Sequence, residues 1–221
     1  MKLSFRQVMF ASFLVSANTV NADTLSAKFD MDKSEVETLT KFGVKKFKAW
    51  SDHEGATIFS YELTYEGKVV ATFAQDDWNG PSSVDLLDNE ALGILHTLSI
   101  RYAEQEYASL YTEMDSAADI FLSDIASAHY LLNKVYAKSF SKELVFVDLL
   151  GNVDEHMVLG FKGNMPFTKS SKTEQGRTAL NNMYWKSREQ CVVDNRAGGF
   201  TVIINTPEKL TGFGVENITP F

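Results

Sequence analysis

Asp76, Asp77, Trp78 and Asn79 form the densest run of chemistry-bearing side chains in the sequence, and Gly80, Pro81 and two serines follow them. Two carboxylates, an indole and an amide on one turn suit a cation or a polar ligand. His53, next to Glu54, could work with Asp76 or Asp77 if the two loops meet. The spacing is not that of a calcium loop, because Asp77-x-Asn79-Gly80 lacks the further alternating oxygen ligands and the closing Glu. The competing explanation is structural: Asn, Gly, Pro and Ser are the residues that turn a chain after a strand, with Trp78 packed against it. The candidate ligand-binding residues are therefore His53, Asp76, Asp77, Trp78 and Asn79.

The other reactive residues point to less. His53, His96, His129 and His156 never fall three or four apart, the spacing by which one helix presents two ligands to zinc, so no metal site is expected. Cys191 is the single cysteine, and Val192 and Val193 beside it favour a buried, inert thiol. Glu104, Glu106, Glu113, Asp115, Asp119 and Asp124 make a central helical region acidic, which is either a solvated face or a surface for a basic partner. Lys41, Lys45, Lys46 and Lys48 lie among Phe42, Phe47 and Trp50, but four lysines beside a strand are ordinary. No phosphate loop, dinucleotide fingerprint or nucleophile elbow is present, so neither a cofactor nor a motif-borne enzyme is expected.

The elements that must position these residues follow from periodicity. A capping box at Ser34 to Glu37 predicts a short helix to about Phe42. Phe59, Tyr61, Leu63 and Tyr65 alternate with polar residues, Glu66-Gly67 turns the chain, and Val69, Ala71 and Phe73 return. With Val44 to Trp50 they make a three-stranded meander. Two helices are predicted next, one from Asp85 to Tyr111 and one carrying the stripe Met114, Ala117, Ala118, Phe121, Ile125, Ala128, Leu132 and Val135. A hairpin follows from Leu144 to Leu149 and Met157 to Phe161, then a helix opened by a box at Ser171 to Glu174, and a last strand, Phe200 to Ile204. The order predicts an α+β fold, an antiparallel sheet covered by the central helix pair and a C-terminal helix. The expected organisation is a spacer and short helix over 23–41, one domain over 42–205 and an irregular tail over 206–221.

Residues 1–22 contain no acid, place Lys2 and Arg6 before the apolar run from Val8 to Ala17, and end on Val20-Asn21-Ala22. That layout predicts an export signal cleaved after Ala22 and a periplasmic or secreted protein; the alternative is an amphipathic helix kept in the cytoplasm. Cleavage would make the chain two charges more acidic than its −8 over 221 residues. Such a balance disfavours nucleic acid as a partner but leaves room for one local basic patch. No run is long enough for a membrane anchor.

Phe42-Gly43-Val44-Lys45-Lys46-Phe47-Lys48, His53-Glu54-Gly55, Tyr65-Glu66-Gly67-Lys68-Val69-Val70 and Asp76-Asp77-Trp78-Asn79-Gly80-Pro81 together resemble a type of small uncharacterised protein of bacteria and their phages. Those proteins open with a β-meander and carry a D-D-x-W-G-G-P loop; here Asn79 stands for the first Gly and Glu66 for an Asp. The resemblance implies a fold over roughly 42–205 and no activity. The expectation is an exported binding protein for a protein or small polar ligand. The alternatives are a cytoplasmic phage accessory protein acting on a host protein through its acidic surface, or a hydrolase with a carboxylate and histidine site around Asp76 to Ser83.

Overall fold

The computed structural model describes residues 3–75, 82–102 and 114–221, without the side chains of 114–116. The chain divides into two compact units, residues 1–12 with 32–130 and residues 13–31 with 131–221. In chain order the described α-helices are α1 (Phe5–Ser16), α2 (Ala22–Phe29), α3 (Lys33–Leu39), α4 (Asn89–Tyr102), α5 (Met114–Tyr130), α6 (Phe167–Ser170), α7 (Glu174–Arg196) and α8 (Pro207–Gly212), with a π-helical turn over Leu131–Val135 and a 3-10 turn over Tyr136–Lys138 after α5. The strands are β1 (Phe42–Ser51), β2 (Thr57–Tyr65), β3 (Lys68–Ala74), β4 (Ser83–Leu86), β5 (Glu143–Asp148), β6 (Met157–Gly160) and β7 (Thr201–Ile203). The fold is α+β with two antiparallel sheets.

The first unit holds the sheet β1-β2-β3-β4. Its meander follows the period-two pattern: Phe59, Tyr61 and Leu63 are buried, and the Glu66-Gly67 turn places both residues at positive φ. Ser83 to Leu86, where a turn cluster ending at Ser83 and a helix from Asp85 were expected, is a fourth strand instead. Val84 pairs with Phe73, and Thr72 Oγ1 donates to Asp85 Oδ2 at 2.9 Å. The helix starts only after Asp88, whose Oδ1 accepts from the Glu90 and Ala91 N–H groups at 3.1 Å. The stripe on α5 is core, with Ala117, Ala118, Phe121, Ile125 and Ala128 fully buried. In α1, Phe5, Val8, Met9, Phe10 and Ala11 are buried, and the Phe5 ring meets Phe121 edge-on at 6.4 Å. Helix α3 is capped two residues earlier than expected, the Asp32 N–H donating to Glu35 Oε2 at 3.1 Å, and its Val36 and Leu39 are buried.

The second unit holds the sheet β6-β5-β7. Asn205 extends it beyond β7: its Oδ1 accepts from the Val145 N–H at 2.7 Å and its Nδ2 donates to the Glu143 carbonyl at 2.8 Å. A buried amide here continues the ladder that the short strand leaves unfinished. The core is formed by Leu144, Phe167, Leu180, Tyr184, Cys191 and Ile203, joined by Leu210 and Val215. Those last two lie where an irregular tail was expected; Pro207, preorganised for a first helical turn, starts α8 there.

Candidate functional site

The five residues singled out from sequence do not form a described site. His53 lies in the turn between β1 and β2, half exposed, with its Nε2 3.7 Å from Glu54 Oε1. Asp52 organises that turn, its Oδ1 accepting from the Glu54 and Ala56 N–H groups at 2.9 and 2.8 Å. Asp76, Asp77, Trp78 and Asn79 lie outside the described residues. Gln75, the last described residue before them, bonds Phe59 through both backbone and side chain, at the same end of the sheet as the His53 turn.

The remaining candidates are largely committed to structure. The His129 ring packs on Phe47 at 4.7 Å and the His156 ring on Tyr136 at 4.8 Å. Lys41 pairs with Glu66, Lys46 with Glu62, and Lys45 donates to the Gly67 carbonyl, so three of the four lysines are held by the same hairpin. Burial pushes the Tyr61 phenol well above its ordinary pKa, and its hydroxyl donates to the Leu122 carbonyl at 2.6 Å. Glu104, Glu106 and Glu113 lie outside the described residues, as does the Asp115 side chain. Among the described residues no three His, Cys, Asp or Glu side chains are grouped to hold a metal, and no helix is long and apolar enough to cross a membrane.

The side chains that do converge are on α7. Thr173 caps this helix by accepting from the Gly176 N–H at 3.1 Å, two residues later than expected. Gly176 is required there, since a Cβ would collide with the Ser170 carbonyl. From this start, Leu180, Tyr184 and Cys191 face the core, while Trp185, Arg188, Val192 and Arg196 line the next face at helical spacing.

Opposite this face stands α2, started by Asn21, whose side chain accepts from the Asp23 N–H at 2.8 Å. Leu25 and Phe29 are buried, which turns Thr24 and Lys28 toward α7. Lys28 Nζ donates to the Asn195 and Gly199 carbonyls, both at 3.0 Å, placing a cation at the negative end of α7. The segment before Phe221 closes the third side. Arg188 donates to the Pro220 carbonyl at 2.8 Å and Thr219 Oγ1 at 3.2 Å, and its guanidinium lies 4.1 Å from the Phe221 ring centroid.

The result is a cleft of 270 Å³ lined by Lys28, Arg188 and Arg196 together with Phe200, Phe221 and Val192. A groove of 540 Å³ continues along Trp185, Lys186 and Val193, with Glu189 as the one acid on its lining. Arg196, the last residue of α7, is exposed, and its guanidinium has no ion-pair or hydrogen-bond partner among the described residues. Lys28 over Phe200 and Arg188 over Phe221, with Arg196 lining the same cleft, can hold an anionic group and the apolar body attached to it.

Beneath the cleft, burial and the Asp194 carboxylate push the Cys191 thiol up to about 11. Iodoacetamide at pH 8 should therefore label native Cys191 at least about a hundredfold more slowly than the unfolded chain. The same shift has a pH sign: the folded state holds the proton more tightly, so this contribution to stability is present below pH 9 and is lost as the pH rises to about 11.

Compared with protein-family models, with curated proteins and with solved structures, the chain matches none.

Proposed function

We propose that the protein acts by binding, and that it takes an anionic ligand with an apolar or aromatic body in the cleft between α2, α7 and the Phe221 segment. The observation that carries this reading is the convergence of Lys28, Arg188 and Arg196 on a pocket walled by Phe200 and Phe221, in a chain whose net charge is −8. A local basic, aromatic patch on an acidic protein attracts small anions while the rest of the surface repels polyanions. Calorimetric titration with phenyl phosphate tests it. A ligand of that size at ordinary efficiency binds with a Kd of roughly 0.1–1 mM. Inorganic phosphate should bind at least about tenfold more weakly and uncharged benzyl alcohol not measurably. Equal affinity for all three probes, or none for phenyl phosphate, contradicts the proposal.

One observation favours the alternative compartment. Phe5, Val8, Met9, Phe10, Leu14 and Val20 belong to the segment expected to be removed on export, and each is at most 1% exposed. Their burial supports a chain that keeps this segment and works in the cytoplasm. Intact mass of the protein purified from an export-competent host decides between the readings, a mass lacking residues 1–22 restoring the periplasmic one.

A further inference from the structure

Strand β6 is the edge of the sheet β6-β5-β7, and Met157, Val158 and Leu159 are 67%, 45% and 42% exposed. Apolar residues thus stand open on both faces of a strand whose outer backbone groups have no neighbouring strand among the described residues. The pairing decides which groups those are. On β5, the Val145 carbonyl accepts from the Ile204 N–H and its N–H donates to Asn205, so Val145 faces the β7 side. Leu144 and Phe146 therefore face β6 and bond their partners Leu159 and Met157. By alternation, the N–H and C=O groups of His156, Val158 and Gly160 point outward. The strand also bears opposite charges at its ends, Asp154 and Glu155 before it and Lys162 after it. The turn that delivers it is pinned, since the Tyr136 hydroxyl donates to the Val153 carbonyl and the Tyr136 ring packs on His156.

We propose that β6 pairs antiparallel with β6 of a second copy of this chain, about a two-fold axis through Val158. Only registers that match outward residues with outward residues form ladder hydrogen bonds, and this one sets Val158 against itself and His156 against Gly160 of the other copy. Met157 then lies across from Leu159, an apolar cross-strand pair made twice. The same register carries Asp154 to Lys162 of the second copy at both ends, so the charge pattern complements itself only in the antiparallel sense. No residue of β6 is a Lys, a Pro or a bulge of the kind that guards an edge. A four-residue strand buries less than the roughly 1,200 Å² of a stable interface, so the dimer is weak and concentration-dependent.

Sedimentation velocity between about 10 µM and about 1 mM should show the weight-average mass rising toward twice the monomer. Val158→Pro removes an outward N–H and leaves the β5 ladder intact, and it should hold the chain monomeric at an unchanged Tm. Should that variant fold poorly, the doubly substituted M157K/L159K chain serves instead, because it sets lysines opposite one another across the axis on exposed positions. Oxidised Val158→Cys tests the register, because a hydrogen-bonded self-pair sets the two Cα atoms about 5.5 Å apart, within disulfide reach. A wild-type chain monomeric up to the highest concentration, a dimer that persists in M157K/L159K, or a Val158→Cys chain that does not cross-link overturns the proposal.

Discussion

A chain that begins at Asp23 is expected to lose cooperative thermal unfolding. Truncation there removes Phe5, Val8, Met9, Phe10 and Leu14, all buried. Each such side chain contributes about 1.5–3 kcal/mol by burial. Even after discounting for a compact unfolded state, the sum is on the order of 10 kcal/mol. That is the size of a whole domain's stability, about 5–15 kcal/mol, so no single compensation restores the fold. Phe5→Ala in the full chain isolates one part of the effect: it leaves a cavity against Phe121 and should lower stability by about 3–5 kcal/mol. Differential scanning calorimetry of the two proteins checks both figures. A truncated chain that melts at the full-length Tm would mean that α1 adds nothing to the fold, and the export reading would then stand.

Arg188 and Arg196 are expected to separate structure from binding. Arg188 makes three hydrogen bonds, to Tyr184, Thr219 and Pro220, and stacks on Phe221. Lysine cannot reproduce a planar fork that bonds and stacks at once, so Arg188→Lys should cost about 2 kcal/mol of stability and weaken phenyl phosphate binding as well. Arg196 is exposed at the helix end, so Arg196→Ala should stay within about 0.5 kcal/mol of the parent while weakening phenyl phosphate binding severalfold. Denaturant melts and calorimetric titrations on both variants measure the two quantities side by side. If Arg196→Ala binds phenyl phosphate as the parent does, the anion does not sit in this cleft.

Local pattern made much of the fold legible. Phe59, Tyr61 and Leu63 announced a half-buried strand, and Ala117 to Ala128 a helix seam, because each face repeats within one element. Pattern failed where two signals overlapped. Ser83 reads as the end of a turn cluster and Asp85-Leu86 as the start of the Leu87 and Ala91 helical stripe, and only pairing with β3 reveals the strand. The run from Val8 to Ala17 has the composition of both an export signal and a buried helix, and periodicity does not divide them. The cleft was the least legible feature. Lys28, Arg188, Phe200 and Phe221 are far apart in the chain, and the Trp185, Arg188, Val192 and Arg196 spacing was its one local trace. The Asp76 loop was conspicuous for the opposite reason, since turn chemistry concentrates polar residues whether or not they bind anything.

The most direct test of the binding account follows backbone amide chemical shifts of the full-length protein during titration with phenyl phosphate. The account predicts saturable shifts at Lys28, Arg188, Val192, Arg196, Phe200 and Phe221, with the β1 to β4 sheet unmoved. Shifts at His53 and Gln75 with none along α7 would contradict it and return the site to the loop end of that sheet.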